Sequence, residues 1–141
     1  MKKLLPILLL LLISSCASHM SLLQEYKGKY RLVLLFSSNE NRIRTQKSEI
    51  EKYKRDIKDR DILFFYLYEN GQSWFENREV SSNFSFNLRK HFEIMDNVTT
   101  LVLIGKDGAE KFRQVVDINF PTLFQEIDRL PTRIREIREG K

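Results

Sequence analysis

Two stretches, Leu32 to Phe36 and Ile62 to Tyr68, are apolar at every position rather than at every second one. A strand with one wet face alternates, so unbroken apolarity marks strands covered on both faces by other layers. The residues between them supply a cover. Ser37, Ser38 and Asn39 offer N-cap oxygens for a helix predicted from about Asn41 to Lys58. Along it Ile43, Ile50, Tyr53 and Ile57 fall on one stripe, and charges occupy the rest. A strand, an amphipathic helix and a second strand make a right-handed crossover with the strands parallel.

The remaining chain extends this unit. Asn70-Gly71 marks a turn, and Ser81-Ser82-Asn83 caps a short predicted helix through Phe92, with Phe84, Leu88 and Phe92 four apart. Leu101 to Ile104 reads as a third strand, and Gly105-Lys106-Asp107-Gly108 turns it into a fourth from Glu110 to Val116. Asn119 and Pro121 open a last amphipathic helix through Leu123, Phe124, Ile127 and Leu130, which Pro131 ends. Thr132 to Gly140 is a charged, helix-prone tail. The predicted class is α/β, in the order β-α-β-α-β-β-α, with a mixed four-stranded sheet and flanking helices. That is the element order of the thioredoxin fold's core; another small open α/β sheet with the same order is the competing architecture.

The N-terminus carries a different signal. Lys2 and Lys3 precede an apolar run from Leu4 to Ile13, interrupted only by Pro6. Ten residues rising about 1.5 Å each fall well short of a hydrocarbon core about 30 Å thick, so the run reads as the h-region of a signal peptide. Ile13-Ser14-Ser15-Cys16 resembles the bacterial lipobox, which implies diacylglycerol on the Cys16 thiol and cleavage before it. The expected organisation is a lipoprotein signal over residues 1–15, lipidated Cys16 and a short tether over 16–25, and a thioredoxin-like domain with its charged tail over 26–141. Several acyl chains, palmitate among them, would hold the chain on a membrane where one chain is marginal. Ala17, a non-acidic residue after the Cys, favours an outer membrane in a cell that has one. A plain secretory signal that happens to contain Cys, and a start at Met20, are the competing readings.

The inventory of the 141 residues excludes much chemistry. One Cys and two His cannot fill a structural zinc shell or form an internal disulfide. No Walker loop, G-x-S-x-G elbow or His-rich metal spacing occurs, so no cofactor or metal is expected. Removing Lys2 and Lys3 lowers the formal charge from +5 to +3, and acidic residues interrupt the basic ones on the first and last helices. That is far from a nucleic-acid footprint; attraction to anionic lipid or an envelope polyanion is a better use of these arginines, ranked behind ordinary solvation. His91 reads as a surface or packing histidine.

Leu34-Leu35-Phe36, Arg60-Asp61, Leu103-Ile104-Gly105-Lys106-Asp107-Gly108 and Ile127-Asp128-Arg129-Leu130-Pro131-Thr132-Arg133-Ile134-Arg135 together resemble the P-DUDES domain, across roughly Tyr26 to Arg138. The resemblance implies a thioredoxin-like fold related to peroxiredoxins, an extracytoplasmic address and no assigned biochemical function. In thioredoxin-like enzymes the reactive Cys sits where the first core strand meets the first helix, because the helix N-terminus stabilises its thiolate. Here that junction reads Phe36-Ser37-Ser38-Asn39-Glu40-Asn41, without sulfur. The expectation is a non-catalytic binding or interaction module of the cell envelope, with Ser37, Ser38, Asn39 and Arg42 as a candidate anion contact. The alternative is an envelope oxidoreductase or peroxidase relative whose active site is not recognisable in the sequence.

Overall fold

The computed structural model describes residues 17–115 and 117–141. The expected signal segment and Cys16 lie outside the described residues. The strand β1, Arg31–Ser37, is buried at every position and forms the centre of the sheet. It pairs in parallel with β2, Ile62–Tyr68, from Arg31↔Ile62 to Ser37↔Tyr68, and antiparallel with β5, Thr100–Ile104, from Leu32↔Ile104 to Phe36↔Thr100. Strands predicted to be apolar throughout thus have a neighbour on each edge and a layer on each face. The first of these layers packs Leu32, Leu34 and Phe36 against Phe84, Leu88 and Phe92 of the α4 region (α4, Ser82–His91) and Leu23 of α1, Ala17–Glu25. On the other face Val33, Leu35, Phe64 and Tyr66 meet Ile43 of α2, Glu40–Lys52, Ile57 of α3, Lys54–Asp59, and Leu123 and Ile127 of α5, Phe120–Asp128.

Four expectations are corrected. The sheet has six strands rather than four, in the order β4-β3-β2-β1-β5-β6, because β3, Ser73–Phe75, and β4, Arg78–Val80, add a hairpin to the outer edge of β2. Three-residue strands are too short for a period to show. The segment expected as a tether is helical from Ala17, and Leu23 is buried under α4. The single helix expected from Asn41 to Lys58 is two, broken where Tyr53 leaves helical geometry (φ −103°, ψ 17°) and stacks on Phe120 with ring centres 4.5 Å apart. The charged tail is a docked helix, α6, Pro131–Arg138, with Arg133 buried in the protein.

The other local expectations hold for stated reasons. Ser81 Oγ accepts from Phe84 N and caps α4, and Asn119 Oδ1 accepts from Thr122 N and caps α5. β5 turns into β6, Glu110–Val115, through Gly108 at φ +83°, a conformation glycine adopts without strain. Among the described residues no helix is long and apolar enough to cross a membrane.

Leu34 is wholly buried at the middle of the central strand. Leu34→Asp would place an unpaired charge there, and a loss above about 4 kcal/mol is expected. Urea denaturation followed by circular dichroism measures it; a midpoint like that of the parent chain would place this strand elsewhere.

Candidate functional site

Because β1 and β2 run together and β5 runs against them, one end of the sheet gathers the C-termini of β1 and β2 with the start of β5. Ligands of open α/β sheets sit beyond such carboxyl ends, and the Ser37 junction lies there. Ser37 is fully buried, and its Oγ lies 2.9 Å from Thr99 Oγ1 while accepting from Asn39 N at 3.1 Å. Thr99 directly precedes β5, and the described chain has no cis peptide bond. Ser38 is exposed. Asn39 is the N-cap of α2, its Oδ1 accepting from Arg42 N at 3.1 Å. Arg42 turns to Asp117, with Nε 2.6 Å from Oδ1.

The four residues expected to form an anion contact are therefore brought to one junction, where Ser38 is exposed and the other three are engaged internally. Asn39 caps the helix end, Asp117 neutralises Arg42, and the Ser37 hydroxyl points into the protein at Thr99. Thr99 and Asp117 were not singled out in the sequence; the place just before the third strand, and the turn into the last helix, were the available signals.

The opposite end of the sheet carries a network of charges. Arg31 heads β1 with a side chain 0% exposed, and it donates to both carboxylate oxygens of Glu136 at 3.1 and 3.2 Å, to Arg60 O at 2.8 Å and to Thr132 Oγ1 at 3.2 Å. Lys106, in the β5–β6 turn, bridges Glu136 and Asp61, each at 2.7 Å. Arg60 grips Asp128 with two bonds of 3.0 and 2.8 Å, and Arg133 reaches the Asp59 carboxylate. The Arg60-Asp61, Lys106 and Asp128-to-Arg133 motifs, which carry the family resemblance, thus converge on one ion network. It binds α6, α3, the β5–β6 turn and the head of β1 to one another. Its job is structural, since the buried cations are each met by a carboxylate or carbonyl.

A cavity of about 350 Å3 lies between α1, the end of α4 and the β5–β6 hairpin, lined by Leu23, His91, Phe92, Glu93, Glu110 and Arg113 among others. Arg113 is already bound to Glu110 and to Phe92 O, and His91 lies edge-on to Phe92 with ring centres 4.7 Å apart. His91 is thus a surface and packing residue. Among the described residues no three His, Cys, Asp or Glu side chains gather as a metal site.

A central parallel pair, an antiparallel hairpin and helices on both faces define a thioredoxin-like α/β domain. The chain belongs to the family described as a domain of unknown function, DUF4174, which matches residues 22–136. That match includes all the motifs above. It is similar in fold to the reduced two-cysteine peroxiredoxin of Plasmodium vivax, at 12% identity and a TM-score of 0.56, with 84% of each chain covered. It is also similar to the mitochondrial two-cysteine peroxiredoxin of Plasmodium falciparum, at 17% identity and a TM-score of 0.55, with 83% of each covered. No curated protein matches the chain.

Burial pushes the Glu136 carboxyl up, but the hydrogen bonds and charges of Lys106 and Arg31 outweigh it and hold it below the usual carboxylate range. A carboxyl depressed by folding contributes stability above its unfolded value, near 4.3, and that contribution is lost as pH falls through the folded value. Stability should therefore decline on acidification below about pH 4, and less steeply in Glu136→Gln. Urea midpoints measured from pH 7 to 2 decide this; parallel profiles for the two proteins would remove Glu136 from the account.

Proposed function

We propose that this chain is an exported, lipid-anchored, non-catalytic thioredoxin-like module with a binding role in the bacterial cell envelope. The observation that carries this reading is the junction of β1 and α2. Thiol exchange and peroxide reduction need a thiolate, and at the place where the fold would activate one the chain has Ser37 and Ser38, the former buried against Thr99. The chain's one sulfhydryl is Cys16, in the lipobox-like Ile13-Ser14-Ser15-Cys16. The P-DUDES resemblance supports an extracytoplasmic address. Anchored by Cys16, α1 would begin at the membrane and lead into the core through Leu23.

The alternative, an envelope oxidoreductase or peroxidase relative, has the fold likeness to two peroxiredoxins in its favour. At such identities that likeness speaks for the fold alone. It would need chemistry without sulfur, and the groups at the junction that could supply it, Ser37 and Arg42, are engaged by Thr99 and Asp117.

Intact mass of the membrane fraction should show an acylated chain beginning at Cys16, and Cys16→Ser should leave the membrane and remain unprocessed. A Cys16→Ser chain that still fractionates with membranes and is cleaved normally would refute the anchor. Neither the parent nor the Cys16→Ser chain should reduce insulin disulfides or consume peroxide; turnover by Cys16→Ser that disappears on substituting Ser37 or Arg42 would refute the non-catalytic reading.

A further inference from the structure

Cationic side chains drawn into a protein usually bring a carboxylate with them. Six of the described lysines and arginines are buried or half-buried: Arg31, Lys47, Arg60, Arg89, Lys106 and Arg133. Five of them hold a carboxylate as an ion pair. Lys47 is the exception among the described residues. Its ammonium faces rings instead, 4.3 Å from the centre of Tyr66 and 5.6 Å from that of Trp74.

The rings are held in place from below. Tyr66 and Trp74 are register partners on β2 and β3. The hairpin is pinned to β2 by Glu76, which sits at φ 51°, donates its N–H to Phe64 O at 2.9 Å and accepts from Phe64 N at 2.6 Å. Such a left-handed conformation is uncommon for a residue other than glycine, and here it holds the hairpin against β2. Burial lowers the affinity of Lys47 for its proton, and the Glu76 charge opposes that only in part. The charged and titratable neighbours are Glu76 on the hairpin, Tyr66 on β2, and Glu51 on α2, whose charge acts on Tyr66. The ammonium thus rests on rings rather than in an ion pair, and its three donors are not committed to a carboxylate.

We propose that Lys47 and Trp74 form a recognition slot for a small ligand carrying a single carboxylate on a sugar or aromatic ring. The ring lies on the open part of the half-buried indole, and the anionic group meets the ammonium. An aromatic face takes the face of a ring at little entropic cost because it is already fixed. Glu76 and Glu51 select against ligands of higher negative charge by repulsion. The slot lies on the α2 face of the sheet, whereas α1, which follows Cys16, packs on the other face. A membrane anchor at Cys16 therefore leaves it accessible, and the inference does not rest on that anchor.

Trp74 is the chain's single tryptophan, so its emission reports this slot alone. The full chain, purified in detergent, is titrated with glucuronate, benzoate, glucose and benzyl alcohol. Saturable quenching by glucuronate assigns a sugar acid, and by benzoate an aromatic acid; the matched neutral compound should bind at least about tenfold more weakly. Lys47→Met should cost a similar factor with the circular dichroism spectrum unchanged, Lys47→Arg should retain binding, and Lys90→Met, at an exposed lysine on α4, should bind as the parent does. No saturable response to either acid up to about 10 mM, or equal affinity in Lys47→Met, overturns the proposal.

Discussion

A guanidinium with no exposed surface heads the central strand, and the architecture around it is organised to satisfy it. Arg31 cannot reach water, so its charge must be met by protein, and the Glu136 carboxylate, 105 residues away in sequence, meets it with two hydrogen bonds. That requirement brings α6 to the end of the sheet. Lys106 then ties the same carboxylate to Asp61 at the head of β2, and Arg60 and Arg133 carry the contacts to Asp128 and Asp59. Buried ion pairs add little net stability over apolar replacements of equal volume, but breaking one is costly. The network therefore acts as a specification of which elements meet.

This places the two ends of the sheet in different roles. The amino end of β1 and β2 is locked by charge, while their carboxyl end is closed by short-range polar contacts: Ser37 with Thr99, Asn39 with the first turn of α2, Arg42 with Asp117. At this junction the fold is kept while the Ser37 hydroxyl is turned inward to Thr99. Arg60, Asp61, Lys106, Asp128 and Arg133 lie in the charge-locked end, and their contacts there make them fold determinants.

What could be read from the sequence was what repeats with a period. The unbroken apolarity of Leu32 to Phe36 and Ile62 to Tyr68 announced a doubly covered parallel pair, and the Ile43-Ile50-Tyr53-Ile57 stripe announced its crossover, because burial on a strand or helix recurs at fixed steps. The Asp107-Gly108 turn and the Ser81 and Asn119 caps were visible because their chemistry is local. The β3–β4 hairpin was hidden, since three residues, Ser73 to Phe75, are too few for a two-residue alternation to stand out, and the strand owes its pairing to β2. At the junction the sequence named residues that the fold brings together, but their orientation depends on Thr99 and Asp117, distant in sequence. Charge was the least legible property. Arg133 and Glu136 look like any solvated helix until Arg31 and Asp59 are brought beside them, and Lys47 looks like its neighbours until Trp74 is.

The central claim is that the buried charge of Arg31 must be answered by Glu136. The most direct measurement is the urea stability of Glu136→Leu, Arg31→Met and the double variant. Leaving Arg31 buried and uncompensated in Glu136→Leu should cost about 3–5 kcal/mol, and removing both partners should recover most of that. Additive losses in the double variant, or a Glu136→Leu protein as stable as the parent, would show that the strand and the helix are held together by something else.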